Sequence, residues 1–346
     1  MTGSTGSSPA ARALTVAVDA MGGDYAPAEL VAGSVQAARK YGIQVILVGN
    51  RGAVETELAK HSAEGLPISI FASEGVVLET DHPARAMREK PRASVYETAR
   101  LVKEGRAQAM VSLGSTGAAM ASAAIILGLL EGVERPAIGG PLLGPLSQTV
   151  LVDLGSNVDC RPSQLVGFAA IGVAFARSIM GIENPRVGIL SVGAEEGKGN
   201  RQVKETFSLL KDSGLNFVGN IEGGDFFLDK ADVVVCDGFV GNVVLKFGEG
   251  LGLAMAHKLP SLLGGHLPPE VMKKVAEQLA ALTNTVELGG GGPLFGVDGV
   301  VVVGHGRSKA ATVAEAIHMA RRAVDVRLVE AMRRELGALR QPVVER

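Results

Sequence analysis

Short runs of β-branched and other apolar residues alternate along the chain with longer stretches in which apolar residues recur at the period of a helix. The runs that predict strands are residues 14–19, 44–48, 68–72, 109–113, 150–153, 186–192, 232–236 and 300–303. The stretches that predict helices are residues 27–40, 53–61, 94–105, 116–130, 162–180 and 201–213. Strands that alternate with helices form a parallel or mostly parallel sheet covered by helices on both faces. The sequence therefore predicts a doubly wound α/β fold.

No linker rich in Pro or Ser, no charge run and no repeat of fixed period divides the chain. We therefore predict a single α/β domain over residues 14–340. Residues 1–13 are small and polar and lack the apolar core of a secretory signal, so we expect disorder there. The apolar pattern also predicts one long helix over residues 308–336.

Apolar residues at helical spacing predict a helical hairpin at about residues 243–282, inserted in the domain. Leu259, Leu262, Leu263 and Leu267 would form an apolar tip. Two interpretations stay open from the sequence. The hairpin packs against a second copy of the chain, or its tip inserts shallowly into a bilayer surface.

The composition excludes several classes of protein. A net charge of −2 and the absence of Trp argue against a nucleic-acid-binding surface. The two cysteines, Cys160 and Cys236, follow no metal-ligand spacing, and a reduced cytoplasmic setting fits them. The most apolar window, residues 118–130, is shorter than the roughly 20 residues of a spanning helix, so we expect no membrane crossing.

Six turns that contain glycine follow the predicted strands. They are DAMGGD (19–24), SLGSTGA (112–118), DLGSNVDC (153–160), SVGAEEGKGN (191–200), CDGFVGN (236–242) and GHGRS (304–308). Open α/β sheets bind ligands at the carboxyl ends of their strands, so we expect these turns to converge on one pocket. Glycine amides and helix N-termini suit an anion. Neither the Gly-x-Gly-x-x-Gly pattern nor the P-loop pattern occurs in these turns, which argues against a nucleotide.

Several side chains in these turns are candidates for chemistry. The hydroxyls of Ser115 and Thr116, with the Gly117 amide, could hold a phosphate, although N-capping explains one of the hydroxyls. Lys198 lies in an exposed acidic turn or serves as a charge partner. Asn242 and Lys246 are one helical turn apart. His305 lies between two glycines at a strand end, where a core histidine seldom needs such backbone freedom.

In these motifs the chain resembles the bacterial phosphate acyltransferases, which convert acyl-acyl-carrier-protein and inorganic phosphate to acyl phosphate at the start of phospholipid synthesis. The resemblance extends over residues 16–317, and it is carried by AVDAMGGDYAP, DLGSNVDC, EEGKGN, CDGFVGN with Lys246, and GGPLFGVDG followed by GHGRS. The chain differs from the family pattern at Ser115, Ser156 and Ala93.

The resemblance implies a fold similar to phosphotransacetylase and the isopropylmalate dehydrogenases. It also implies a homodimer in the cytoplasm, attached peripherally to the membrane, where a membrane glycerol-3-phosphate acyltransferase would take the product. Phosphate is itself a nucleophile, so the reaction requires no cofactor, metal or enzyme nucleophile. A phosphotransacetylase for a small acyl-CoA and a non-catalytic anion-binding protein of the membrane surface are the alternatives.

The predicted site divides into two classes of residue. The predicted catalytic residues are His305, Lys198, Asn242 and Lys246. The predicted residues that bind phosphate or substrate are Asp19, Gly22, Gly23, Asp24, Ser115, Thr116, Gly117, Asn157, Glu196, Gly199, Asp237, Gly238, Gly241 and Gly306. We interpret Asp19 and Asp24 as residues that position loops or a lysine.

Overall fold

A computed structural model describes residues 14–142, 147–263, 267–283 and 290–340. The predicted disorder at residues 1–13 lies outside these ranges. The described chain forms an 11-stranded sheet in the order β3-β2-β1-β4-β11-β10-β5-β6-β9-β7-β8. The strands are β1 Thr15–Asp19, β2 Gln44–Gly49, β3 Ile68–Ala72, β4 Ala109–Ser112, β5 Ala137–Pro141, β6 Val150–Val152, β7 Val187–Leu190, β8 Phe217–Ile221, β9 Val233–Val235, β10 Gly292–Phe295 and β11 Val300–Val303.

Helices connect most of these strands. The first helices along the chain are α1 Ala28–Tyr41, α2 Arg51–Leu58, α3 Pro83–Glu89, α4 Ser94–Lys103, α5 Thr116–Ser122 and α6 Pro162–Met180. They are followed by α7 Arg201–Asp212, α8 Gly238–Leu263, α9 Pro269–Thr283, α10 Ala310–Asp325 and α11 Leu328–Gly337. The doubly wound, mostly parallel α/β fold predicted from the sequence is confirmed.

The sheet contains two parallel sets of strands that run in opposite directions. The first set is β3, β2, β1, β4 and β11, and the second set is β6, β9, β7 and β8. Between them, β10 is antiparallel to β11 and to β5, and β5 is antiparallel to β6. The carboxyl ends of the two sets of strands therefore lie at different edges of the sheet.

The prediction of one long helix over residues 308–336 is wrong. The structure has α10 and α11 with a break at Arg327, whose φ of 52° is left-handed. Both helices keep the predicted apolar face, because Ile317, Ala320, Leu328 and Met332 are buried. The helix predicted over residues 116–130 is also shorter, since α5 runs into a π turn, Ala123–Leu127, that ends at Gly128.

Two helices are long and apolar enough, by length and composition, to cross a membrane. In α6 the apolar window is 61% buried, as expected of a core helix, whereas in α8 it is 17% buried. Helix α8 packs against α9, and Gly252 lies so close to Thr283 that a Cβ there would overlap its side chain. The two helices overlap the hairpin predicted at about residues 243–282, but α8 begins earlier, at Gly238, and α9 ends at Thr283. The division of the chain into one domain with this insertion stays a prediction.

Candidate functional site

Three of the six glycine turns contact one another at the ends of β1, β4 and β11. We call residues 19–24, 112–118 and 304–308 the first loop group. The Asp24 amide donates to the Gly306 carbonyl at 2.9 Å. A Cβ at Gly22 would lie 2.5 Å from Asp19 Oδ2 and 3.1 Å from the Gly114 nitrogen, and Gly23 has a φ of 113°. Only glycine fits at Gly22 and Gly23, so backbone lines this surface.

The other three turns meet at the ends of β6, β7 and β9. We call residues 153–160, 191–200 and 236–242 the second loop group. The Gly238 amide donates to the Asn157 carbonyl at 2.6 Å, and a Cβ at Gly241 would overlap the Asp153 carbonyl. The Gln202 side chain, at the start of α7, donates to the Cys160 carbonyl at 2.6 Å.

The six turns therefore meet as two groups at different edges of the sheet. Their convergence on one pocket stays a prediction. The contacts above join loops within each group, and the direction of the strands reverses between the groups. The reversal depends on β5 and β10, which the sequence pattern did not predict.

Asp19 is fully buried under the first loop group. Its carboxylate accepts from Ser112 Oγ at 2.9 Å and from the Met21 amide at 3.3 Å. Burial raises the pKa of Asp19, and hydrogen bonds from Ser94, Ser112 and the Met21 and Gly22 amides oppose that rise. Asp19 thus holds the turn at Met21 and Gly22 through hydrogen bonds from within the protein. Its role as a positioning residue stays a prediction.

The start of α5 provides the next part of the first loop group. Ser115 is buried and caps the helix, because its Oγ accepts from the Ala118 amide at 3.3 Å. The amides of Thr116 and Gly117 lie in the first turn, where no helix offers an internal acceptor. Their N–H groups therefore have no acceptor within α5.

His305 and Gly306 form the turn after β11. The His305 carbonyl accepts from the Ser308 amide at 3.0 Å and from Ser308 Oγ at 2.6 Å, and the imidazole is half-buried. The Lys309 ammonium lies 3.2 Å from the ring centroid of Tyr25 and 3.6 Å from the Glu29 carboxylate. A basic residue therefore borders the first loop group.

The second loop group is organised around Asp153, which sequence reasoning did not single out. Asp153 is fully buried and accepts hydrogen bonds from the amides of Ile138, Gly155, Ser156 and Asn157 and from Asn157 Nδ2, at 2.7–3.3 Å. A signal was present, because an Asp that begins a turn commonly binds amides two or three residues later.

Several predicted binding residues of this group hold the loops together. Asn157 is buried, and its side chain donates to Asp153 and to the Pro136 carbonyl. Asp237 caps α8 by accepting from the Val240 amide at 2.9 Å. Gly238 and Gly241 permit the close approach of α8 to the turn at Asp153.

Four predicted side chains in or next to the second group lie at the surface: Glu196, Lys198, Asn242 and Lys246. Lys246 pairs with Glu249 at 2.7 Å, and Glu196 pairs with Lys211 at 3.3 Å. Lys198 is exposed, with its stem against Gly193, and Asn242 is exposed beside Gly155. Gly199 has a φ of 105° and lies against Val203.

Neither cysteine is placed as a nucleophile. Burial and the nearby carboxylates of Asp153 and Asp237 raise the pKa of Cys160 to about 12 and raise that of Cys236 well above its usual value. Their thiolates are therefore disfavoured. Within the described ranges, no three His, Cys, Asp or Glu side chains cluster as metal ligands.

Two adjoining cavities lie at the second loop group. An apolar chamber of about 190 Å³ and an open groove of about 490 Å³ share Asn200, Gln202 and Asp237 in their walls. A larger cavity of about 710 Å³ is lined mainly by α6, α7 and α11, and none of the predicted site residues lines it. The sequence did not predict the chamber.

Comparisons with known proteins give a consistent result. The family model described as "Fatty acid synthesis protein" matches residues 14–331. A phosphate acyltransferase from Pelotomaculum thermopropionicum is 44% identical over 329 residues, which cover 94% of this chain and 96% of the relative. A phosphate acyltransferase from Heliobacterium modesticaldum is 41% identical over 338 residues, covering 95% and 100%.

Solved structures confirm the fold. A phosphotransacetylase from Streptococcus pyogenes superposes with a TM-score of 0.60 at 17% identity, covering 90% of this chain and 94% of that chain. A branched-chain phosphotransacylase from Enterococcus faecalis gives a TM-score of 0.52 at 16% identity, covering 90% and 99%.

Proposed function

This chain belongs to the phosphate acyltransferase family, and we propose that it transfers a long acyl chain from acyl carrier protein to inorganic phosphate, for phospholipid synthesis. It is an acyltransferase by its family. The acyl-carrier-protein substrate and the place in phospholipid synthesis are the parts that we propose. The two loop groups then form the two walls of one substrate cleft.

We assign phosphate to the first loop group because that group has backbone amides without an acceptor in their helix. In two turns of the second group, residues 153–160 and 236–242, the amides of Gly155, Ser156 and Asn157 are bonded to Asp153, and those of Gly238, Val240 and Gly241 are bonded within the group. In the first group the amides of Thr116 and Gly117 lack an intrahelical acceptor. Donors for an anion are therefore available at the first group.

The surroundings of the first group suit an anion for a second reason. A carboxylate near phosphate would repel it, but the Asp19 carboxylate is buried beneath the turn, where Ser112 Oγ and the Met21 amide donate to it. Lys309 borders the group, with its ammonium over the Tyr25 ring and paired with Glu29. Gly22, Gly23 and Gly306 allow phosphate to approach the backbone closely.

Phosphate held there would attack the thioester carbonyl, and the thiolate would leave. Orientation of the two reactants can lower the barrier by ~7–11 kcal/mol. Each fixed donor to the developing oxyanion is worth about 2.7–4 kcal/mol. We propose that His305 orients phosphate or assists the leaving thiolate, and that Lys198, Asn242 and Lys246 face the thioester from the second wall.

The twist of the sheet supports two walls of one cleft despite the reversed strands. The strands β11 and β9 are separated by four steps through β10, β5 and β6. A twist of about 20–25° per step turns the second set by about 80–100° relative to the first. The two sets of strand ends therefore do not point straight away from each other.

Single alanine variants of both walls test the proposal. We expect His305→Ala to lower phosphate-dependent acyl transfer by about 10²-fold or more, as loss of a positioned donor does. We expect smaller losses for Lys198→Ala and Asn242→Ala. The exposed Lys204 on α7 supplies the control Lys204→Ala. Near-normal rates in all three folded site variants would refute the assignment.

A substrate comparison separates the proposal from its alternatives. Palmitoyl-acyl-carrier-protein and acetyl-CoA are each incubated with phosphate, and acyl phosphate is measured. Preference for acetyl-CoA would identify a phosphotransacetylase. No acyl phosphate from either substrate would favour a non-catalytic anion-binding protein.

We further propose that the protein is a cytoplasmic homodimer that attaches peripherally to the membrane through α8 and α9. Phe247, Leu262 and Leu267 are exposed apolar residues of this region, and Leu262 is 73% exposed. Such a surface suits either a second copy of the chain or a bilayer. Attachment would let acyl phosphate pass to a membrane glycerol-3-phosphate acyltransferase.

Vesicle sedimentation tests the attachment. We expect Leu262→Glu to abolish cosedimentation with phospholipid vesicles. Ile125→Glu is the matched control, because Ile125 is also an exposed apolar residue but lies outside α8 and α9. Equal cosedimentation of both variants and the wild type would refute attachment through this tip. Sedimentation velocity of the same variants measures whether the protein is a dimer.

A further inference from the structure

We propose that the apolar chamber of the second loop group holds the part of the acyl chain next to the thioester, and that Ser191 Oγ binds the thioester carbonyl. The inference rests on the proposed acyl transfer. It adds to that function the place where the acyl chain lies. It also names the residues that set the acyl-chain length preferred by the enzyme.

The walls of the chamber suit an alkyl chain. They are formed mainly by side chains without charge: Leu165, Ile189, Leu190, Val192, Val203, Cys236 and Val240. Leu165, Ile189 and Cys236 are buried, so the inner end is closed by the protein core. Apolar surface of this kind favours a hydrocarbon over water.

The size of the chamber fits a segment of a chain. Its volume is about 190 Å³. At roughly 30 Å³ for each water-sized group, it accommodates about six methylene groups. An acetyl group would leave most of this volume unfilled, whereas a longer chain would fill it.

Ser191 provides a polar contact in the chamber wall, in addition to Asn200, Gln202 and Asp237 on the side shared with the groove. Its Oγ is buried and has no hydrogen-bond partner among the described residues. A buried hydroxyl without a partner is unfavourable, and an O–H can donate to a carbonyl oxygen. The thioester carbonyl is the polar atom that an acyl chain would bring to this wall.

The adjoining groove indicates how the substrate enters. Arg201 in its wall is paired with Glu205 at 2.6 Å, and Asp159 and Asp237 add carboxylates. A groove with these carboxylates does not attract the negatively charged carboxylate of a free fatty acid. An acyl chain bound as a thioester, which lacks the carboxylate charge of the free acid, matches the groove better. Val192, at the mouth, is 83% exposed and offers an apolar entrance.

Variants that narrow the chamber test its occupant. We expect Val203→Phe, and separately Val240→Phe at the rim, to lower kcat/KM for a palmitoyl thioester at least tenfold and that for an acetyl thioester less than twofold. Val203→Ala should shift the preference towards longer chains. The control Val218→Phe changes an exposed valine of β8 outside the chamber and should leave the chain-length profile unchanged.

Ser191→Ala tests the carbonyl contact. We expect kcat/KM to fall by a similar factor for acetyl, hexanoyl and palmitoyl thioesters, with an unchanged thermal midpoint. A purely structural role for Ser191 would instead lower the midpoint and leave kcat/KM of the folded enzyme unchanged.

The outcomes for the two proposals are distinguishable. An active wild type whose chain-length profile is the same in Val203→Phe and Val240→Phe overturns the chamber assignment alone. A wild type without phosphate-dependent thioester loss overturns the proposed function. Calorimetric binding of palmitoyl-pantetheine then decides about the chamber, because Val203→Phe should still weaken that binding at least tenfold, and equal affinity would refute the chamber.

Discussion

Asp153 determines the shape of the second loop group because five N–H groups donate to one buried carboxylate. Leaving a buried amide without an acceptor costs about 1–3 kcal/mol. We predict that Asp153→Ala lowers the free energy of unfolding by about 3 kcal/mol or more, measured by urea denaturation. The exposed Asp159 of the same loop provides the control, and Asp159→Ala should change the value by less than about 0.5 kcal/mol. Equal effects of the two variants would contradict this role.

His318 of α10 faces α1, where its ring stacks on Tyr41 with centroids 4.1 Å apart. Burial lowers the pKa of His318, as do Arg322, Arg321 and Lys40, while Glu315 opposes the shift. The unfolded state therefore binds the proton first as the pH falls. The stability contributed by neutral His318 is present above about pH 6.5, the unfolded value, and is lost as the pH falls through the folded pKa.

His318→Phe keeps an aromatic ring on Tyr41 and removes the titrating group. We predict that its stability relative to the wild type rises as the pH is lowered from 7.5 to 5, measured by thermal or urea unfolding at each pH. His257→Phe, at an exposed histidine of α8, should show no such trend. A constant difference between His318→Phe and the wild type would contradict the assignment.

Residues that act through backbone freedom were visible in the sequence, whereas residues that act through burial were not. Gly22 and Gly23 stand out because two glycines follow an apolar run, and the structure shows backbone packing at both. Asp153 and Ser191 became recognisable only once their burial and partners were known. The same holds for Asn157, whose side chain holds a loop together.

At the scale of elements, the break between α10 and α11 depends on one residue. Arg327 is exposed and has a φ of 52°, a conformation that costs a residue with a Cβ about 1–2 kcal/mol. We predict that Arg327→Gly raises the free energy of unfolding by up to about 1 kcal/mol, since glycine also gains entropy in the unfolded chain. Asp325→Gly, at the end of α10, should lower it by about 1 kcal/mol. Urea denaturation measures the free energy of unfolding of both variants. A change in the same direction for the two variants would contradict the prediction.

Elements with a strong local pattern were predicted closely. The strands β3 and β11 and the helix α6 have the predicted bounds. The elements that were missed are short or interrupted by glycine or proline: β5, β8, β10 and α3. Such segments have little period to detect, and their sheet neighbours, not their own sequence, hold them in place.

For the whole molecule, β5 and β10 join the two parallel sets, so their packing affects both. A Cβ at Gly139 in β5 would lie 2.6 Å from Phe295 Cε2 and 2.8 Å from Val152 Cγ2. We predict that Gly139→Ala costs about 1–3 kcal/mol and lowers the midpoint of a single unfolding transition seen by calorimetry. Gly140→Ala is the control, because no heavy atom lies within 4 Å of a Cβ there. Loss of half the transition, or equal effects at both glycines, would contradict the prediction.

The composition of the candidate site was predictable, but its arrangement was not. The six turns, His305 and Lys198 were identified from residue type and position after strands. Which turns meet depends on strand order and direction over the whole sheet. Two residues more than a hundred positions apart, such as Gly23 and Gly306, share a surface for that reason.

Helix α8 connects the chamber with the exposed apolar surface in one continuous element. Its first turn includes Val240 in the chamber wall and Gly241 against Asp153, and its 26 residues extend about 39 Å at about 1.5 Å per residue. A partner that binds the C-terminal end of α8 also restricts the tilt of its N-terminal turn. We therefore expect docking of that end to make the pocket more rigid before the acyl chain arrives, and thermodynamic reciprocity requires the acyl chain to strengthen docking in return.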